Sequence, residues 1–351
     1  MPIDPRSARG LSSRPMDLFE LTRALIDIDS TTGREREVGD FLFRYLEEVA
    51  GRTGGAVERM AVQEGRFNVL AVWGEPVVVL STHMDTVPPF FPSSEDGEHI
   101  RGRGACDTKG GIASMIQAIE ELLAEGLRGF GLLLVVGEET DSAGAQMANR
   151  HPKGSRWLVN GEPTENRLAL GSKGMIYMAL EAQGRAAHSA YPELGDSAID
   201  KLLDVLGRLK AVPLPTDPVL GETTLNVGTL SGGRASNVVA DHARAEVTLR
   251  TVGDTSELRR KLAAAVHAVP GVHIAEIRET PALHLGSVPG FETSIVKYTT
   301  DIPRLSAWGE PFLLGPGSIH VAHTPEERVA KRDLIEAVHL YKEMVRRLLD
   351  R

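Results

Sequence analysis

Two histidines and a scatter of carboxylates stand where this chain could use them together. His83–Met84–Asp85 follows an apolar run at 77–80, and Asp107 lies in the glycine-rich stretch 102–111. Glu138 and Glu139 come just after the apolar run 132–136. Glu162 follows another at 157–159, in Asn160–Gly161–Glu162–Pro163–Thr164. His323 sits in Ala322–His323–Thr324–Pro325–Glu326–Glu327, behind the turn Gly315–Pro316–Gly317. Each cluster alone has an ordinary explanation. A His-x-Asp pair is common, Asp107 would serve as a helix N-cap, and neighbouring glutamates often mark a solvated turn. The carboxyl ends of strands, however, are where α/β sheets bind ligands, and charge placed there is poorly explained as decoration. Imidazoles and carboxylates without a cysteine make a donor set suited to Zn, Co or Mn. A shared carboxylate can hold two such ions about 3.5–4 Å apart, as hydrolytic two-metal sites require. Asp85 could accept from the second ring nitrogen of His83.

The elements that must position these residues follow from periodicity. Helical spacing starts at Asp17, with Leu18, Leu21, Leu25 and Ile28 on one face, and recurs over 35–49 through Val38, Phe41, Leu42, Tyr45 and Leu46. A third helix carries Ile112, Met115, Ile116, Ile119, Leu122 and Leu123 and ends at Gly126. Buried strands at 77–80, 132–136 and 157–159 alternate with these helices, which predicts right-handed crossovers and a mainly parallel sheet. After about residue 168 the texture changes. Strands at 175–182, 223–230, 238–250 and 272–278 and helices at 196–210 and 255–268 give the order of a ferredoxin-like α+β sandwich. The chain then returns to the first unit, closing with an amphipathic helix through Leu334, Ile335, Val338, Val345 and Leu348. The fold class is therefore α/β, with an inserted α+β unit. Residues 1–15 read as a disordered tail, 16–168 and 282–351 as two parts of one domain, and 169–281 as the insertion.

Composition limits the alternatives. A chain of 351 residues, 42% apolar and 25% charged, can bury a sizeable core. Its net charge of -9 argues against sequence-independent nucleic-acid binding, which needs a basic surface. The single cysteine, Cys106, precludes an internal disulfide. The first residues lack an apolar signal-peptide core, and apolar runs are too short to span a bilayer. A cytoplasmic protein with no membrane or nucleic-acid partner is expected.

The five clusters, in this order and at this spacing, resemble the M20 metallopeptidases, over about residues 17–349. The likeness is greatest to acetylornithine deacetylase and succinyl-diaminopimelate desuccinylase, on the Gly315–Pro316–Gly317–Ser318 turn, Glu162 and the Ala-His-x-Pro-Glu segment. The resemblance implies a two-metal amidohydrolase, with Zn the first expectation and Co or Mn alternatives. His83, Asp107 and Glu162 would hold one ion, and Asp107 would bridge to a second held by Glu139 and His323. Glu138 would be the general base and Asp85 would orient His83, while His320 is assigned no ligand role. In the insertion, His188 in Gly184–Arg185–Ala186–Ala187–His188–Ser189 resembles the family's lid segment, which reaches the partner subunit's site in a homodimer. Asn237 and Arg250 match substrate-carboxylate contacts, and Arg is the natural carboxylate clamp. The substrate implied is a small N-acylated amino acid, N-acetylornithine first, with a succinylated diamino acid or a dipeptide as alternatives. A non-catalytic dimeric binding relative would show a missing ligand or base, and none is missing.

Overall fold

The computed structural model describes residues 16–351; the expected tail at 1–15 lies outside the described residues. The chain opens with α1 (Leu18–Ile26), whose N-cap Asp17 accepts from the backbone of Phe19 and Glu20 while Glu20 reaches back, a capping box. Next come α2 (Arg36–Thr53), β1 (Ala56–Gln63), β2 (Arg66–Trp73), β3 (Val78–His83), α3 (Gly110–Ala124), β4 (Phe130–Val135), α4 (Ala143–Asn149) and β5 (Trp157–Asn160). A second unit supplies β6 (Gly174–Gln183), α5 (Ala198–Ala211), β7 (Thr224–Gly232), β8 (His242–Thr251), α6 (Ser256–His267) and β9 (Val272–Thr280). The last elements are β10 (Glu310–Leu313) and α7 (Lys331–Leu349).

In the first unit the sheet order is β1-β2-β4-β3-β5-β10. β3 runs parallel to both β4 and β5, and β10 parallel to β5. The periodicity argument missed the antiparallel hairpin β1–β2, which joins the sheet through β2 and β4. Its edge strand carries Glu58, Arg59 and Gln63 and is largely exposed, a charged rim that blunts edge pairing. Alternation along the buried strands feeds two cores. Val78, Leu80, Leu132 and Leu134 pack with α1, α2, α3 and α7, while Val79, Leu133, Val135 and Leu158 pack with α4 and Trp308. α3 is buried nearly all round, which is why its sequence is apolar on every face. In α7, Leu334, Val338, Val345 and Leu348 are buried as expected, but Ile335 is exposed; it falls one step off the buried face.

The second unit has the sheet order β7-β8-β6-β9, antiparallel throughout. With α5 and α6 on one face over Ile176, Met178, Leu180, Val247 and Leu249, this is the expected ferredoxin-like arrangement. The boundary differs from the expected return at residue 282. The compact second unit comprises Leu170–Leu285 and Ser294–Pro303, and the first unit resumes at Gly286–Thr293 and then from Arg304. The cause is local pairing. Leu283 and His284 pair with Ser172 and Gly171, and the Lys173 backbone donates to the Val296 carbonyl. No helix among the described residues is long and apolar enough to cross a membrane.

Candidate metal centre

The parallel register delivers the ligands to one sheet edge. His83, the last residue of β3, pairs with Val135, the last of β4, and Ser81 pairs with Asn160, the last of β5. Glu138–Glu139 and Glu162 therefore leave the sheet beside His83. Asp107 enters from the turn before α3 and is joined to Thr108 by a cis peptide. His323 arrives from the loop before α7 with φ of 62°, a left-handed conformation uncommon for residues other than glycine. The turn at 315–318 docks against the Glu162 segment: Thr164 and Glu165 donate to the carbonyls of Gly315 and Gly317. Gly317, at φ of 81°, lies so close to Cys106 that a Cβ would sit 2.6 Å from its side chain. Glycine is required there on both counts.

Asp107 is the centre of the arrangement. Its Oδ1 lies 3.0 Å from His83 Nε2 and its Oδ2 lies 3.3 Å from His323 Nε2. His323 Nε2 is also 3.0 Å from Glu139 Oε1, and Glu162 Oε2 is 3.9 Å from His83 Nε2. His83, Asp107 and Glu139 form a group whose ligand atoms lie within 4.8 Å of one another. The donors fit divalent cations on this geometry. Two ligand atoms each about 2.1 Å from a tetrahedral ion stand about 3.4 Å apart, close to the separations observed. His83 Nδ1 lies 3.0 Å from the Asp85 carbonyl, which can only accept, so Nε2 is left to ligate.

Without an ion, the electrostatics show the same match. Burial disfavours the charged form of His83, but its contacts with Asp107 and Asp85 prevail and raise its pKa well above the histidine norm. Asp107, and then Glu139, raise His323 to about 10. Burial pushes Asp107 up, and the two imidazoles more than reverse it, leaving its carboxyl below the usual range. The carboxylates around Asp107 thus favour positive charge at both imidazole positions.

Asp85 does more than orient His83. Buried completely, it accepts backbone N–H groups from Gly137 (2.9 Å), Glu138 (3.1 Å) and Glu139 (3.2 Å), and the Thr32 hydroxyl at 2.8 Å. It builds the turn that presents both glutamates. Asn68 supports the base of that turn, donating to Gly144 O and accepting from Val136 N. Thr82 and Thr108 hydroxyls, 2.7 Å apart, reach the carbonyls of Gly161 and His83. Sequence reasoning singled out neither Asn68 nor Thr82; a buried polar residue beside an apolar run was the available signal. His320 is exposed, and its backbone N–H donates to Ser318 Oγ.

The remaining expected residues belong to the second unit. His188 and Asn237 are both exposed and share one loop pair: the Ser189 backbone donates to Asn237 O, and His188 bridges to Val238. Arg250, near the end of β8, is half-buried. Burial lowers its pKa, and no carboxylate pairs with it among the described residues. Asp301 is buried.

A parallel-sheet edge collecting imidazoles and carboxylates around one shared aspartate defines a metallohydrolase. Residues 79–347 match peptidase family M20/M25/M40, and the chain belongs to that family, whose chemistry is metal-dependent amide hydrolysis. A peptidase M20 domain-containing protein of Schizosaccharomyces pombe is 40% identical, over 94% of this chain and 84% of its own length. A protein of Uncinocarpus reesii named a probable carboxypeptidase is 35% identical, over 95% and 87%. Among solved structures, a Staphylococcus aureus tripeptidase has the same fold, with a TM-score of 0.80, 20% identity and coverage of 95% and 98%. These relatives bear out the M20 assignment; neither is named a deacetylase or desuccinylase, so the acetylornithine branch gains no support from them.

Proposed function

We propose that this enzyme cleaves the amide bond preceding a residue with a free α-carboxylate, in short peptides or N-acyl amino acids, using two divalent ions, Zn first. The observation that carries the two-ion reading is Asp107, which turns one carboxylate oxygen to each histidine. His83 and Glu162 complete one ligand set; Glu139 and His323 complete the other. Bound there, the ions supply Lewis acidity and lower the pKa of a water. Glu138 accepts the proton of the attacking water and returns it to the leaving amine. Arg250 takes the substrate carboxylate with Asn237, and a homodimer supplies His188 to the partner subunit's site, where it holds the oxyanion. Arg250 supports the carboxylate reading because it is a half-buried guanidinium without an acidic partner among the described residues. The carboxypeptidase name of the Uncinocarpus relative points the same way.

The test is a substrate panel assayed with Zn, Co and Mn. It includes di- and tripeptides with free and amidated termini, N-acetylornithine and a succinylated diamino acid. Free-acid substrates should turn over much faster than amidated ones, whose residual rate Arg250→Ala should leave nearly unchanged. Arg250→Ala should lower kcat/KM on free acids about 30-fold or more, the low end of losing a desolvated charge pair. Equal losses on free and amidated substrates would remove Arg250 from this role.

A further inference from the structure

We infer that Glu327 is a positioning residue that ties the His323 loop to the backbone of Asp107, fixing the shared carboxylate between the two ligand sets. The inference rests on the metal reading above. Glu327 stands four residues beyond His323 in sequence and is buried to 1% exposure. Its Oε1 accepts the backbone N–H of Asp107 at 3.2 Å and of Cys106 at 3.3 Å. Its Oε2 pairs with Arg103 Nη1 at 2.5 Å, and its carbonyl accepts from Gly102. Arg103 is equally buried; its Nε donates to Pro89 O at 3.2 Å and its backbone to Phe91 O, in the segment that follows His83. One carboxylate and one guanidinium therefore connect three ligand-bearing segments.

The surroundings argue that position, rather than stability, is what this pair supplies. Ile26, Ile100, Ala105, Cys106, Val329 and Leu334 form an apolar cluster around these segments. An ion pair in such a place is often no more stabilising than apolar residues of similar size. A carboxylate does what an apolar side chain cannot: it holds two adjacent backbone N–H groups at fixed distance. Those groups belong to the residue that must face both histidines and to its neighbour. A small shift of that peptide would swing Asp107 from one histidine towards the other, and supporting shells of this kind typically govern affinity for the ion.

The test separates the acceptor from the charge with two double variants. Arg103→Met/Glu327→Gln removes the charges but keeps a side-chain oxygen for the two N–H groups. Arg103→Met/Glu327→Leu removes the oxygen as well. Metal-free proteins are titrated with Co(II), followed by its visible absorption and by competition with a chelator, alongside kcat and KM. The Gln variant should bind two Co(II) within about threefold of wild type. The Leu variant should bind at least one Co(II) about tenfold or more weakly, with an altered spectrum and lower kcat at unchanged KM. Glu327→Asp withdraws the oxygen by one methylene while keeping the charge, and should weaken Co(II) likewise with little change in metal-free Tm; it carries the comparison if the Leu variant does not fold. Wild-type Co(II) binding in the Leu or Asp variant overturns the positioning role. So does equal weakening in the Gln and Leu variants, which would make the charge pair the essential element. Failure of wild type itself to bind Co(II), Zn or Mn would sink the metal reading, and the positioning role with it.

Discussion

Asp85→Asn isolates the turn that presents the two glutamates. The wild-type carboxylate receives Gly137 and Glu138 on Oδ1, and Glu139 and Thr32 on Oδ2. An asparagine can keep its oxygen on the first pair, but its amide nitrogen then faces the Glu139 N–H, donor against donor. Losing a buried bond to a charged acceptor costs about 1.5–3 kcal/mol, and the two retained bonds fall to the neutral range of about 0.5–1.5 kcal/mol each. Each retained bond thus loses about 1–1.5 kcal/mol, and the total is about 3.5–6 kcal/mol. A unit of this size loses about 2–4 °C of Tm per kcal/mol, so calorimetry on metal-free protein should show a fall of about 7–24 °C. Because Glu139 is the residue whose amide is abandoned, affinity for metal should also fall, by about 10–100-fold. Chelator competition measures it. An Asn variant with unchanged Tm and wild-type affinity would refute the reasoning, since the three amides would then be satisfied without the carboxylate.

Other outcomes follow from the same geometry. Glu138→Gln should keep its metal while turnover falls by about 10²–10⁴, whereas Glu139→Gln or His323→Ala should lose metal by elemental analysis; the reverse pattern would exchange their roles. Metal loading near pH 7.5 should release protons, because His83 and His323 hold them in the metal-free protein, with His323 raised to about 10. Calorimetric titration in buffers of different ionisation heat should report about two protons per chain, fewer as the pH passes 10. The sign for metal-free stability follows: these raised pKa values stabilise the fold fully below about pH 6.5, and that contribution is lost as pH climbs through the folded values. A Tm contribution from His323 that rises between pH 6.5 and 10 would contradict it. Finally, inactive Glu138→Ala and His188→Ala chains co-refolded together should recover about a quarter of wild-type activity if His188 acts across a two-fold dimer; no recovery despite proven exchange would place His188 in its own subunit's site or outside catalysis.

The sequence by itself determined where the ligands would emerge. Runs such as 77–80 and 132–136 are short and apolar throughout, as strands buried on both faces require. The charged residues directly after them had to lie at strand ends. His83, Glu138, Glu139 and Glu162 were legible for that reason, and the 2.0 and 3.6 periods outlined the helices and the ferredoxin-like order. The β1–β2 hairpin escaped this logic because its edge strand is largely exposed and alternates imperfectly. The exchange of segments at 286–303 escaped it because short strand pairings leave no period. Only the tertiary structure decided how the ligands are held. Glu327 caps Asp107 across 220 positions, and Asp85 gathers the amides of residues 52–54 positions away. A carboxylate four residues after a histidine reads as a surface charge in sequence. Its hydrogen bonds are made to backbone groups, which every residue type shares, so nothing in the partner's identity announces them.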